Sequence, residues 1–188
     1  MGPVLGSKRI TTARQMEIAA RLVLNTETVP REAMFFTLSI SESAWNEIAR
    51  HAQETFPDEC CGVVLSNGGA DHVHRLRNIQ NALHALDPAT YPRTAAIAYA
   101  MDPLELEKIT REAQSIGATL KAFYHSHPDH DAYFSEEDKA FASPFGEPIY
   151  PDTTQIVVSI YNRVVKNVRA FAWSDAKKDF IEVPLQRA

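Results

Sequence analysis

The chain has 188 residues, of which 45% are hydrophobic and 23% are charged, a composition that suits one domain of ordinary size with a packed core. Its formal net charge of −5 and pI near 5.8 argue against a nucleic-acid-binding protein, which usually carries a basic face. Apolar runs of about eighteen residues are absent from the sequence, so it predicts no membrane-spanning helix.

The N-terminal residues 1–34 are predicted to form an extension that is partly helical. Residues 10–24 mix charged and apolar side chains at roughly helical spacing, which indicates an amphipathic helix. The same charges interrupt the hydrophobic stretch that a secretory signal requires. We expect residues 35–188 to form the main domain, and removal of residues 1–34 to leave its functional site intact.

The remaining chain predicts a mixed, largely antiparallel sheet flanked by helices, an α+β arrangement within the broad α/β class. In chain order, the predicted elements are a strand at 35–41, a helix near 42–55 capped by Ser41 or Ser43, a hairpin of 61–69 and 71–79, a helix at 102–117, a strand at 120–127, a short helix from 135, paired strands at 154–162 and 168–174, and a last strand at 180–185.

The segment at 78–100 contains Pro88 and Pro92 and is predicted to be irregular, ending in a candidate strand at 95–100. The helix that follows has the clearest boundaries, with Asp102 as its N-cap and Gly117 as its stop. Neither of the glycine-rich phosphate-binding patterns GxGxxG and GxxxxGK[ST] occurs, so the common nucleotide-binding folds are not indicated.

The two cysteines, Cys60 and Cys61, are adjacent in the sequence. Neighbouring cysteines bridge each other only with strain, so we expect a reduced, cytoplasmic protein. The pair could serve in redox chemistry or metal binding. Because successive side chains of a strand point to opposite faces, buried structural thiols are the favoured interpretation.

The stretch HSHPDHDAYFSEED, residues 125–138, holds three histidines and five carboxylates. His125 and His127 stand two apart in a predicted strand, so their side chains share one face and can converge on one point. Asp138 follows after a short loop. Two imidazoles and one carboxylate can bind Zn²⁺ and leave the fourth tetrahedral position open, which is typical of catalytic rather than structural zinc.

Other interpretations apply to each residue on its own. The sequence SEED fits a helix N-terminus, with Ser135 as N-cap and acids in the first turn. A pair of histidines in a strand is more often hydrogen-bonded or exposed than bound to metal. These alternatives are compatible with a metal site, because the first turn of a helix can present its acid to an ion.

The pattern HxHP, six residues and then SxxD resembles the signature of the JAMM/MPN-plus zinc metalloprotease family. His125, His127, Pro128, Ser135 and Asp138 match it in order and spacing. Members of that family also carry an upstream glutamate, often in a P-x-E-x-C-G segment, and PDECCG at 57–62 matches it here. The resemblance covers roughly residues 37–185 and implies a single MPN/JAMM domain, similar to the cytidine-deaminase-like zinc fold.

The resemblance also implies roles for individual residues. His125, His127 and Asp138 would hold one Zn²⁺ per chain, and Glu59 would act as the general base. Ser135 would not be a nucleophile, and its hydroxyl would stabilise the oxyanion of the tetrahedral intermediate. By contrast, Ser126 is expected on the opposite strand face. The loop residues Asp129, His130 and Asp131, the acids Glu136 and Glu137, and the histidines 51, 72, 74 and 84 are not expected to bind the metal.

Family members hydrolyse bonds after the C-terminal glycines of ubiquitin-like proteins, and the bacterial members with similar flanks process ubiquitin-fold sulfur carriers. The resemblance therefore implies a metallopeptidase acting after the Gly-Gly of a small ubiquitin-like sulfur-carrier protein, whose extended tail would bind by strand addition. The alternatives are an isopeptidase that removes a ubiquitin-like modifier from lysine, and a non-catalytic scaffold. The partner is expected to be a protein, not a nucleic acid or a membrane.

Overall fold

The computed structural model describes residues 36–188, and the predicted helix at 10–24 lies outside them. The helices are α1 (Glu42–Thr55), α2 (Gln80–Leu86), α3 (Pro103–Ser115) and α4 (Glu136–Ala142). The strands are β1 (Leu38–Ile40), β2 (Cys61–Asn67), β3 (Ala70–Leu76), β4 (Thr119–Pro128), β5 (Thr154–Tyr161), β6 (Val164–Ser174), β7 (Asp179–Val183) and β8 (Leu185–Arg187).

Six strands form one sheet in the order β3-β2-β4-β5-β6-β7, with β4 at its centre. Its strand pairs are antiparallel except for β4 and β5, which run parallel. The two ends of the domain meet in a second sheet, where β1 pairs with β8 in parallel, Leu38 opposite Leu185. The predicted α+β class, with a mostly antiparallel sheet and flanking helices, is confirmed.

The helix α1 covers one face of the large sheet. It begins at Ser41, whose hydroxyl accepts a hydrogen bond from the Ala44 N–H at 3.3 Å, so Ser41 rather than Ser43 is the N-cap. Its buried Ile48 and Ala52 pack into a core with Tyr124 and other apolar side chains of β4 and β5. The opposite face is covered by α3, and its Ala113 packs in a second core with residues of β2 and β4.

The helix α3 is bounded as its sequence predicts. Asp102 accepts a hydrogen bond from the Leu104 N–H at 2.9 Å, and Pro103 occupies the first helical position. At the other end, Gly117 adopts a φ of +68°, a left-handed conformation that stops the helix and that glycine adopts without strain.

The segment at 78–100 departs from prediction in two places. It contains the helix α2, and the expected strand at 95–100 is wrong, since these residues make turns and irregular backbone. The Asn78 side chain binds the backbone of this segment, donating to the Ala98 carbonyl at 3.2 Å and accepting from the Ala100 N–H at 3.0 Å. These side-chain bonds replace the strand ladder that the apolar pattern suggested.

Both cysteines are free and buried. Cys60 belongs to the core under α1, and Cys61 belongs to the core on the opposite sheet face. The expectation of buried thiols on opposite faces is confirmed. Within residues 36–188, no helix is long and apolar enough to span a bilayer.

Candidate metal centre and active site

The pairing of β2 with β4 explains how distant sequence segments meet. Cys61 lies opposite His125 in the antiparallel register, and the Ser126 N–H donates to the Cys60 carbonyl at 3.0 Å. Continuing the register by one residue sets Glu59 beside His127. Because side chains alternate along a strand, Glu59, His125 and His127 therefore share one face, away from α1.

The imidazoles of His125 and His127 converge on one point at the end of β4. Their Nε2 atoms are 3.1 Å apart, and the Asp138 Oδ2 lies 3.5 Å from the first and 3.7 Å from the second. These side chains are nearly closed to solvent, with 1%, 8% and 11% of their areas exposed. They are the one group of three or more potential metal ligands found within residues 36–188.

Asp138 is held at this point by the first turn of α4. Its Oδ2 accepts hydrogen bonds from the Ser135 N–H at 2.9 Å and from the Ser135 hydroxyl at 2.6 Å. In return, the Asp138 N–H donates to the Ser135 Oγ at 3.1 Å, which completes a capping box. The helix-start interpretation of SEED is thus confirmed, and the same bonds aim the carboxylate at the two histidines.

Neighbouring groups set the protonation of both imidazoles. His127 Nδ1 lies 3.0 Å from the Asp131 carbonyl, to which it donates, so its Nε2 is the atom that faces Asp138. Burial lowers the pKa of His125, which favours the neutral ring with a free lone pair. Burial acts against charge on His127 as well, but Asp138, Glu59 and the Asp131 carbonyl together outweigh it and raise the pKa of His127.

This arrangement fits a zinc ion. Burial disfavours the ionised Asp138, yet the adjacent His125 and His127 and the Ser135 hydroxyl outweigh it and hold the pKa of Asp138 far below its usual range. The site therefore presents one carboxylate oxygen and two ring nitrogens, the donor types that Zn²⁺ prefers, close enough to bind one ion.

Glu59 lies next to this group and is only 5% exposed. Its backbone is fixed from both sides, since its N–H donates to the Ala95 carbonyl at 2.7 Å and its carbonyl accepts from the Asn78 amide at 2.9 Å. Burial raises the pKa of Glu59 to about 8, with Asp138 adding to the effect and His127 and Arg93 opposing it. A carboxyl group with such a pKa can accept and release a proton near neutral pH.

A cavity of about 780 Å³ opens onto these side chains. Glu59, His127, Ser135 and Asp138 line it, so the predicted general base, two of the three candidate ligands and the predicted oxyanion donor border one space. His125 lies beneath the surface, stacked on Tyr99 with ring centroids 4.4 Å apart. The volume is in the range of a ligand-binding site.

The other polar residues of the cluster have separate partners. Ser126 lies on the face of α1, where its hydroxyl accepts from the Cys60 N–H at 2.9 Å, as expected from alternation. His130 binds the Pro128 carbonyl through Nδ1 at 2.9 Å and lines the cavity. Glu136 and Glu137 are exposed at the start of α4.

Sequence reasoning missed three residues of the site: Asn78, Arg93 and Tyr99. Asn78 ties Glu59 to the cavity wall, Tyr99 packs on a candidate ligand, and Arg93 lines the cavity from the exposed segment before Ala95. All three belong to the segment at 78–100, whose pattern indicated irregular structure. Asn78 lies two residues after the end of β3, and an asparagine at such a position is a local signal of a side-chain turn.

A known protein family matches the part of the chain that contains these residues. The family model for prokaryotic homologues of the JAB domain, Prok-JAB, matches residues 41–174. The chain belongs to this family. The matched range contains Glu59, His125, His127, Ser135 and Asp138, and the predicted relationship to the JAMM/MPN-plus proteins is confirmed at the level of the family.

Two curated relatives carry enzyme names. The chain is 34% identical over 110 residues to a desampylase of Haloferax volcanii, covering 56% of this chain and 73% of that protein. It is 28% identical over 129 residues to a CysO-cysteine peptidase of Mycobacterium tuberculosis, covering 69% of this chain and 77% of that protein.

Solved structures share the fold of this Prok-JAB domain. A solution structure of a Desulfitobacterium hafniense protein has a TM-score of 0.59 at 20% identity, covering 80% of this chain and 92% of that one. A Salinibacter ruber protein has a TM-score of 0.52 at 22% identity, covering 80% and 91%. These similarities show that the fold extends over most of the chain.

Proposed function

We propose that the chain is a zinc-dependent metallopeptidase that hydrolyses the amide bond after the C-terminal Gly-Gly of a small ubiquitin-like sulfur-carrier protein. One observation carries this proposal: Glu59 and two of the candidate ligands, His127 and Asp138, line one cavity with His125 packed beside them, although 66 positions separate Glu59 from His125. The names of the two curated relatives, a desampylase and a CysO-cysteine peptidase, support hydrolysis of a carrier or modifier protein.

His125, His127 and Asp138 would hold the metal. Zinc bound there supplies a Lewis acid that polarises a carbonyl and lowers the pKa of water. The hydrogen bond of His127 to the Asp131 carbonyl and the capping box on Asp138 orient the ligands in advance. Preorganisation of this kind raises metal affinity, because fewer side-chain rotamers are lost on binding.

Glu59 would move the proton. As the carboxylate it accepts a proton from the attacking water, and as the acid it returns that proton to the leaving amine. Its burial favours uptake of that proton, and its backbone bonds to Ala95 and Asn78 hold it in place. Ser135 would donate its hydroxyl to the oxyanion, exchanging its bond with Asp138 for one to the substrate.

The surface around the cavity is suited to a protein substrate. Three exposed apolar side chains line it: Ile97, Tyr133 and Phe141, which are 53%, 46% and 64% exposed. Exposed apolar groups beside a cleft are typical of docking surfaces. The Gly-Gly tail would enter as an extended strand, since glycines allow close approach to the ligands. The free, buried cysteines support a reducing, cytoplasmic location.

The test combines metal analysis with cleavage. Purified protein is expected to bind one zinc per chain. It should also release cysteine from a ubiquitin-like carrier of the same organism whose C-terminal Gly-Gly has been ligated to cysteine. A lysine isopeptide of the same carrier serves as the second substrate, and faster cleavage of it would favour the isopeptidase alternative. Zinc-loaded protein that cleaves neither substrate would favour a non-catalytic scaffold and overturn the proposal.

A further inference from the structure

Arg93 differs from the other charged side chains of the cavity. Glu59, Glu136, Glu137 and Asp138 give the lining an acidic character, and Arg93 is the one lysine or arginine among the described residues that border it. Its Nη2 donates to the Glu137 Oε1 at 2.6 Å, across 44 positions of sequence. Both side chains remain partly open to solvent, 45% and 63% exposed.

An exposed ion pair of this kind contributes little to stability. The Arg93 backbone is nevertheless anchored, because its carbonyl accepts from the Gln80 side chain at 2.8 Å. The backbone that carries the Arg93 guanidinium is therefore held in place at the cavity. Its carboxylate partner, Glu137, is an exposed side chain. Arginine binds carboxylates in a two-pronged geometry, and the Glu137 carboxylate shows that this one is accessible to such a group.

Arg93 and Glu59 line the same cavity, so both border the space in which the leaving group would be bound. The Arg93 charge is near enough to oppose the rise in the pKa of Glu59. In the proposed reaction, Glu59 protonates the leaving nitrogen. Hydrolysis breaks the C–N bond, adds hydroxide from water to the glycyl carbon and places the proton of that water on the amine.

The two substrate classes differ at this nitrogen. When the leaving group is a single amino acid, its carboxylate is two bonds from the scissile nitrogen. When the leaving group is a lysine side chain, four methylene groups separate that nitrogen from the backbone, and no carboxylate is nearby. In an acidic cavity, a leaving carboxylate needs a cation besides the proposed zinc, and Arg93 is the one arginine or lysine among the described residues that line it.

We propose that Arg93 is a specificity-determining residue that binds the α-carboxylate of the leaving amino acid, exchanging Glu137 for the substrate. The substrate class is therefore a ubiquitin-fold carrier with a C-terminal aminoacyl adduct on its Gly-Gly, rather than a lysine conjugate. This inference rests on the proposed function and adds the recognition of the leaving group to it.

The test compares a free acid with its amide. The zinc-loaded enzyme is assayed on a Gly-Gly carrier ligated to cysteine and on the same carrier ligated to cysteinamide, which lacks the charge. We expect the wild-type enzyme to have a higher kcat/KM on the acid than on the amide. Arg93→Gln should lower kcat/KM on the acid by about 10- to 100-fold, as loss of a charge-assisted pair predicts, and should change kcat/KM on the amide little. Arg93→Lys should restore part of the preference, and Glu137→Gln, which frees the guanidinium, should raise kcat/KM for the acid.

Arg77→Gln is the matched control, because Arg77 is also an exposed arginine that pairs with carboxylates, those of Asp102 and Glu105, but does not line the cavity. This variant should have the kcat/KM of wild type on both substrates. Equal losses on acid and amide in Arg93→Gln, or a wild type with no preference between them, would overturn the assignment of Arg93 while hydrolysis itself stands. A wild type that cleaves neither substrate would instead refute the proposed function and this inference together.

Discussion

The two faces of β4 treat their polar side chains in opposite ways. Towards α1, Tyr124 pairs with His51 at 2.8 Å and Ser126 accepts from the Cys60 N–H, so the polar groups find partners within the chain. On the other face, His125 and His127 direct their Nε2 atoms at each other and at Asp138. Neighbouring positions of one strand thus provide internal packing on one side and an arrangement suited to a cation on the other.

Removing a ligand from the second face should have the largest effect. We expect His127→Ala and Asp138→Asn each to lose stoichiometric zinc and to lower kcat/KM by about a thousandfold or more, roughly 4 kcal/mol of transition-state stabilisation. Elemental analysis and a cleavage assay measure the two effects. His51→Gln is the control on the first face, and it should retain zinc at a cost of about 1–2 kcal/mol in stability. Normal zinc binding by both ligand variants would refute the ligand assignment.

Glu59 should separate chemistry from metal binding. Glu59→Gln keeps the shape of the side chain but cannot accept a proton, so cleavage should fall by about 10²- to 10⁴-fold while zinc stays bound. Glu54→Gln is a suitable control, because Glu54 is an exposed partner of Arg75 in the same part of the chain. Unchanged cleavage in Glu59→Gln would show that another group acts as the base.

On the face of β4 towards α1, stability should instead be sensitive to added side-chain volume. A Cβ at Gly62 would lie 2.4 Å from the His74 carbonyl oxygen and 2.5 Å from the Tyr124 ring. Gly62→Ala should therefore lower the free energy of unfolding by about 3 kcal/mol, as overpacking does. Denaturant unfolding of the zinc-loaded protein measures this. A stability equal to that of wild type would mean that the tyrosine moves aside freely.

A smaller effect should appear in the pH dependence of the metal-free protein. Burial raises the pKa of Glu59 from 4.5 to about 8, so the folded state holds a proton that the unfolded chain releases in this window. The Glu59 contribution to stability is therefore complete below pH 4.5 and is lost as the pH rises towards 8. Between pH 5 and about pH 6.5, metal-free wild type should lose about 1–2 kcal/mol relative to Glu59→Gln. The opposing titration of His125 is present in both proteins and so cancels in the comparison. A difference in the free energy of unfolding that does not change with pH would contradict the raised pKa of Glu59.

Local sequence signals predicted the elements on both faces of β4. Caps, alternation and the HxH spacing were sufficient because each acts over a few residues, as Asp102, Gly117 and the capping box of Ser135 show. Family resemblance, and not spacing, connected Glu59 to the histidines. The segment at 78–100 is largely irregular as predicted, but the strand at 95–100 was wrong because Asn78 holds that backbone through side-chain bonds 20 and 22 positions away, which leave no periodic trace. The pairing of β1 with β8 likewise joins the two ends of the domain and has no local signal.

The candidate site can form only when β2 and β4 pair in their native register. A slip of one residue would turn Glu59 to the face of α1, and would set Cys60 rather than Cys61 opposite His125. A misfolded chain of this kind would carry every functional residue and yet be inactive. On the proposed function, catalytic competence would therefore arrive together with the central strand pair.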